Sequence, residues 1–206
     1  MRKKLVLATR NKGKVQEFKE LLKSLDLEIY SLLDFPALSL PPETGRTFEE
    51  NAVFKARFIS GLTGLSALGD DSGLEVEALG GAPGVYSSRF AGEGASDEEN
   101  QQKLLALLRP YPLEKRRARF RCVLALCTAE GETFTASGTL EGVITQEPRG
   151  KHGFGYDPLF LIPDRGKTLA ELGPEIKNRI SHRARALQSL WPVLTEIFAG
   201  AGSCSS

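Results

Sequence analysis

Hydrophobic positions change period several times along the first half of the chain. Lys4-Leu5-Val6-Leu7-Ala8 is an apolar run of strand length. From Val15 onward the apolar residues fall at Val15, Phe18, Leu21, Leu22 and Leu25, the spacing of one helix face. The pattern predicts a strand, a short polar turn and a helix. Leu27 to Leu33 reads as a second strand, and Pro36 to Pro42 as a loop. A helix follows with Thr47 at its N-cap and Glu50 three residues later, a capping-box spacing. Its apolar positions, Phe48, Ala52, Val53, Ala56 and Ile59, keep the helical period. Leu65 to Leu68 reads as a short strand running into Gly69-Asp70-Asp71-Ser72-Gly73, whose composition suits an acidic turn. Leu74 to Leu79 alternates and predicts a further strand.

Gly80-Gly81-Ala82-Pro83-Gly84 breaks the chain. Ser96 then caps a helix with Asp97, Glu98 and Glu99 in its first turn, the end at which acids are favourable. Arg117 to Thr128 and Thr133 to Ile144 read as long strands joined by turn residues at Ala129-Glu130-Gly131. Ser181 caps a last helix bearing Ala184, Leu187, Leu190, Trp191 and Leu194, which Pro192 is expected to kink. Helices alternate with strands early and a hairpin sits in the middle, so the expected fold is α/β with a mixed sheet. No repeat or long linker divides the chain; residues 1–199 are expected to form one domain, and 200–206 a disordered tail.

Composition narrows the function. The chain of 206 residues has a formal net charge of +1, so no global field draws it to nucleic acid or to a membrane surface. No apolar run reaches the ~18 residues of a membrane span. The apolar stretch after Met1-Arg2-Lys3-Lys4 is too short for a signal peptide. Cys122 and Cys127, five residues apart in a strand, point to opposite faces and read as buried thiols. A reducing, cytoplasmic setting fits them.

Candidate chemistry gathers at strand ends and helix starts. Thr9-Arg10-Asn11-Lys12-Gly13-Lys14 joins the first strand to the first helix, where backbone N–H groups and Lys14 suit a phosphate chain. It is not a Walker A loop, because Ala8 stands where that motif needs its first glycine. Asp70 and Asp71 point to opposite sides of an extended chain, so that one can hold a metal and the other support it. Glu43, Glu49 and Glu50 offer further carboxylate oxygens for Mg²⁺, although Glu49 and Glu50 are also explained as helix-start acids. Lys55 has the bland reading of a snorkelling surface lysine. Gly153-Phe154-Gly155-Tyr156-Asp157-Pro158 offers two flat rings for stacking a base and an aspartate for a ring N–H, or else a tight turn with aromatic core anchors. His182 and Arg183 open the last helix with a donor–acceptor ring and a planar fork. Neither a zinc-spaced Cys/His cluster nor a G-x-S-x-G elbow is present.

Six motifs in this order resemble the inosine triphosphatase, or Ham1-like, family. They are Thr9-x-Asn11-x-x-Lys14, Thr47-Phe48-Glu49-Glu50-Asn51-Ala52 with Lys55-Ala56, Asp70-Asp71-Ser72-Gly73-Leu74, Gly80-Gly81-Ala82-Pro83-Gly84, Gly153-Phe154-Gly155-Tyr156-Asp157-Pro158 and Ser181-His182-Arg183. The resemblance runs from Leu5 to about Leu190. It implies an elongated mixed α/β fold of two lobes around a central nucleotide-binding cleft, a homodimer, and Mg²⁺-dependent hydrolysis of ITP, dITP and XTP to the monophosphate and pyrophosphate. It further implies that Thr9, Arg10, Asn11, Lys12, Gly13 and Lys14 bind the triphosphate. Asp71 would be base and metal ligand with Asp70 beside it, Ser72 a substrate contact, and Phe154, Gly155, Tyr156, Asp157, Lys177, His182 and Arg183 the holders of the base and nearby groups. Lys14 and Lys55 would neutralise phosphate charge. One departure concerns the metal: bacterial relatives commonly carry two acids before the Thr44-Gly45 turn, and here the first is Pro42, leaving Glu43. The alternatives are a Maf-type pyrophosphatase for other modified nucleotides and a non-catalytic nucleotide-binding module.

Overall fold

A computed structural model describes residues 2–199; the expected tail at 200–206 lies outside the described residues. Seven strands form one sheet in the order β2-β1-β3-β4-β5-β6-β7. In chain order these are β1 (Lys3–Leu7), β2 (Leu27–Ser31), β3 (Ser66–Val76), β4 (Arg117–Cys127), β5 (Thr133–Ile144), β6 (Phe160–Ile162) and β7 (Lys167–Thr168). β1 pairs parallel with β2 and β3, while β6 pairs antiparallel with β5 and β7. The sheet is therefore mixed, as the alternation of elements implied. Helices are α1 (Lys12–Leu21), α2 (Phe48–Thr63), α3 (Asp97–Leu108), α4 (Leu169–Ile180) and α5 (His182–Ala199).

The chain divides into two compact units. Among the described residues, the first comprises 2–71, 123–138 and 184–199, and the second 72–122 and 139–183. In the first, Val6, Ala8, Leu32, Ile59 and Ala67 form a buried cluster, with Tyr30, Phe35 and Phe58 packed against it. In the second, Leu74, Leu104, Phe120, Leu140, Tyr156, Phe160 and Leu169 belong to a larger core. Cys122 and Cys127 are both buried, as their strand position implied.

Helix starts follow the local signals. Asn11 caps α1, its Oδ1 accepting from the Lys14 amide at 3.0 Å, so the helix begins before the first apolar residue of its face. Thr47 caps α2 by accepting from the Glu50 amide at 3.1 Å. The Glu50 carboxylate reaches past the cap to the Arg46 amide at 2.7 Å. Ser96 and Glu99 complete a reciprocal capping box on α3. α4 went unread in the sequence: Thr168 and Glu171 form its capping box, but Gly173 (φ 73°) and Pro174 interrupt its period.

The largest departure from the sequence pattern lies at Gly69-Asp70-Asp71-Ser72-Gly73. It is no turn; β3 runs unbroken from Ser66 to Val76 and carries both aspartates in its interior. The predicted strand 74–79 is the end of β3 followed by a short helical turn, Glu77–Leu79. Gly69 is there for packing. A Cβ on it would lie 2.2 Å from the Ala52 carbonyl oxygen and 2.9 Å from the Ala56 amide of α2. Ala52, Ala56 and Gly69 thus let helix and strand backbones approach closely.

Gly69→Ala is expected to cost roughly 2 kcal/mol or more, because backbone atoms must move to admit the methyl group. Gly61→Ala, on the exposed face of the same helix with open space around it, should instead gain about 0.5 kcal/mol. Urea denaturation of the two variants checks the contrast; equal midpoints would remove the close-packing account.

Candidate active site

In the first unit, α2 aims a lysine inward rather than to solvent. Lys55 shares the buried face of α2 with Phe48, Asn51, Ala52, Ala56, Ile59 and Ser60. Its Nζ donates to Glu43 Oε1, Asp71 Oδ1 and the Asp70 carbonyl oxygen, each at 2.8 Å. The snorkelling reading of Lys55 is thereby corrected: an ammonium with only 6% of its side chain exposed is stable because three acceptors match its three donors. Asn51 completes the support. Its Oδ1 accepts from the Gly45 amide at 2.9 Å, which orients the side-chain amide so that Nδ2 donates to Asp71 Oδ2 at 3.0 Å. Both Asp71 oxygens are held. Asp70, the neighbouring residue of the strand, pairs with Lys14 from the first turn of α1.

Two lysines face three carboxylates, an excess of one negative charge. Burial pushes the Asp71 carboxyl upward; Lys55 pulls it down, Glu43 pushes it up again, and the net direction is up. For Lys55, burial works downward, but attraction to Asp71 and Glu43 outweighs it and the ammonium is held above its usual range. Among the described residues no three His, Cys, Asp or Glu side chains converge on one point. Mg²⁺ does not require such a cage, since it binds through one or two carboxylates plus substrate phosphates. Hard oxygen donors from Asp71 and Glu43 fit that ion; Pro42 adds nothing to the set.

The remaining residues of the first turn divide. Thr9 Oγ1 accepts from the Asn11 amide at 3.1 Å and shapes the turn. Lys12 is exposed, and Gly13 is half-buried. Arg10 lies beside the loop after β2: its Nη2 donates to the carbonyls of Phe35, Pro36 and Leu38, which fastens that loop.

In the second unit, a second group forms around Phe154. Lys177, from α4, is buried in an ion pair with Asp157 and holds its Nζ 4.4 Å from the Phe154 ring centroid. The Arg183 guanidinium lies 5.8 Å from the same ring, and its Nη2 donates to Ser72 Oγ at 3.3 Å. Asp157 Oδ2 also accepts from the Phe154 amide at 3.0 Å. Gly153 fits tightly here, since a Cβ would lie 2.1 Å from that oxygen. His182 stacks on Phe120 with centroids 4.7 Å apart and 14° between planes. Tyr156 corrects the expectation of two stacking faces. It is buried, its hydroxyl donates to the Ser87 carbonyl at 2.9 Å, and burial pushes the phenol well above its usual range. It anchors the core, and Phe154 alone of the pair is half-open.

Residues 5–193 match the model of the Ham1 family. The chain belongs to the Ham1 family. A dITP/XTP pyrophosphatase of Geobacter sulfurreducens is 54% identical over 187 residues, covering 91% of this chain and 94% of that protein. One from Bacillus licheniformis is 52% identical, with 94% and 99% covered. The structure of a Ham1 protein from Coxiella burnetii superimposes with a TM-score of 0.84 at 47% identity, covering 94% of this chain and 99% of the other. Membership of the Ham1 family displaces the Maf-type alternative.

Within this Ham1 chain, the sequence motifs contained Asn51 without giving it a task. Its signal was present: an asparagine on the buried side of an amphipathic helix, one turn before an equally misplaced lysine. The cost of removing that lysine is testable. Lys55→Met leaves Glu43 and Asp71 without their shared cation, and a loss of about 3 kcal/mol is expected. A denaturation midpoint unchanged from wild type would show that the cluster contributes nothing to stability.

Proposed function

We propose that this chain hydrolyses ITP, dITP and XTP to the nucleoside monophosphate and pyrophosphate, with Mg²⁺ as cofactor. The observation that carries the reading is the Lys55–Glu43–Asp71 cluster with Asp70 and Lys14 beside it, which sets cations for phosphate next to a carboxylate of raised proton affinity. The printed names of the relatives, dITP/XTP pyrophosphatases, support the substrate class.

A nucleoside triphosphate carries about four negative charges, so approach of a nucleophile is the main obstacle. Lys14 and Lys55 would exchange carboxylate partners for phosphate oxygens and the pyrophosphate leaving group. Asp71 would accept the proton of a water whose oxygen bonds to the α-phosphorus, as the bond from that phosphorus to the bridging oxygen breaks and pyrophosphate departs. Asp71 and Glu43 would hold Mg²⁺ together with the phosphates, with Asp70 supporting them; the ion supplies charge neutralisation and a more acidic water. The loop Thr9 to Lys14 would receive the phosphate chain on its amides. Phe154 would stack on the purine, with Gly155, Tyr156, Asp157, Lys177, His182 and Ser72 shaping its surroundings. Arg183 would donate to the 6-oxo group that hypoxanthine and xanthine have and adenine lacks; a site built for one hydrogen-bond pattern rejects the other by roughly 10⁴-fold in favourable cases. We also propose a homodimer in the cytoplasm, where these nucleotides would otherwise enter nucleic acid.

Pyrophosphate release from ITP, XTP, GTP and ATP, with Mg²⁺ and with EDTA, tests the reading. Release from ITP and XTP, loss of it in EDTA and near-inert GTP and ATP are expected. Orthophosphate as product, or no preference among bases, would overturn the assignment. Asp71→Asn should lower kcat by roughly 10²-fold or more; a fully active variant would remove Asp71 as base.

A further inference from the structure

Gly155, the residue that follows Phe154, is gripped on both of its backbone polar groups by one helix. The Gly155 N–H donates to Asp97 Oδ2 at 2.6 Å, and the Gly155 carbonyl accepts from Gln101 Nε2 at 2.6 Å. Asp97 and Gln101 are four residues apart at the start of α3, hence on one helix face. Gln101 is buried, and only its NH₂ group can satisfy a carbonyl, so its amide has a defined orientation.

The helix making this grip is itself held at its start. Ser96 and Glu99 close the capping box. Asn100 accepts from the Ala91 amide at 2.7 Å and donates to the Ser88 carbonyl at 3.3 Å. From its other side, the Phe154 amide is fixed by Asp157, which Lys177 holds in turn. The ring of Phe154 therefore projects from a backbone constrained before and after it, while Gly155 takes the left-handed conformation (φ 61°) that the sharp bend requires. Four polar ties on so short a loop exceed what a merely ordered surface turn needs; they suit a ring whose plane must be set before a ligand arrives.

We propose that Gln101 and Asp97 are positioning residues that fix the plane of Phe154 and thereby set affinity for the purine base. This rests on the nucleotide reading of the site. Both residues act on the backbone that carries Phe154, so their effect should appear in recognition of the base alone.

The test compares wild type with Gln101→Met, Asp97→Ala and Asp97→Asn. It measures KM and kcat for ITP and the Ki of inorganic tripolyphosphate, which has phosphates but no base. Gln101→Met and Asp97→Ala should each raise KM for ITP about tenfold, the loss of one hydrogen bond that sets the ring. The change in kcat should stay within about twofold, as for lost binding shared by ground and transition states. The Ki for tripolyphosphate should not move. Asp97→Asn keeps an acceptor oxygen and should recover most of what Asp97→Ala loses. Asp97 is exposed, so its variants keep the test informative if Gln101→Met folds poorly. Unchanged KM in both disruptive variants, or a tripolyphosphate Ki that rises in parallel, overturns the proposal. Failure of wild type to release pyrophosphate from ITP overturns the functional reading, and the proposal with it.

Discussion

A buried ammonium needs three acceptors, and meeting that need organises the contact between α2, the loop before it and β3. Lys55 can leave water only because Glu43, Asp71 and the Asp70 carbonyl converge on it at equal distance. Those acceptors come from a loop and from a strand, so the lysine ties the loop before α2 to the middle of β3. Desolvating these charges costs several kcal/mol per ion, which the mutual attraction must offset. Such an arrangement is a poor way to gain stability. It is the kind of cluster that the proposed reading needs, with cations and a carboxylate held side by side.

The cluster has its position because two backbones approach each other closely. Gly69 immediately precedes the aspartates and lies against Ala52 and Ala56 of α2. Asn51 and Lys55 flank Ala52 in sequence and reach the carboxylates from that short distance. Small residues thus set the spacing, and the polar residues next to them form the buried charged cluster.

Around Phe154 the constraint has a different form. Asp97 and Asp157 accept from backbone amides of the loop and Gln101 donates to a backbone carbonyl, so side chains fix the path of the chain around Phe154. Lys177 serves two partners, the Asp157 carboxylate and the face of the Phe154 ring. These hydrogen bonds and the buried Tyr156 tie the loop down on both sides of Phe154, whose own ring stays half-open. Tyr156, two residues on, shows the opposite use of an aromatic: its ring packs in the core and its hydroxyl is satisfied by Ser87.

Periodicity and capping chemistry in the sequence alone determined the helices α1, α2, α3 and α5, the strands β1, β2, β4 and β5 and the mixed character of the sheet, because these depend on residues within a few positions of one another. The order of motifs likewise determined family membership. Tertiary structure decided what local composition misjudged. Gly-Asp-Asp-Ser-Gly has the residues of a turn, yet it is a strand interior, because Lys14 and Lys55 satisfy the aspartates and α2 needs the glycine. Lys55 looks like a surface lysine until its partners, 12 and 16 residues away, are placed beside it. Arg10 sits in a polar turn, and only the folded chain brings its Nη2 to the carbonyls of the loop after β2. In each case the deciding free energy lies in a contact between segments distant in sequence, where burial and ion pairing outweigh local preference.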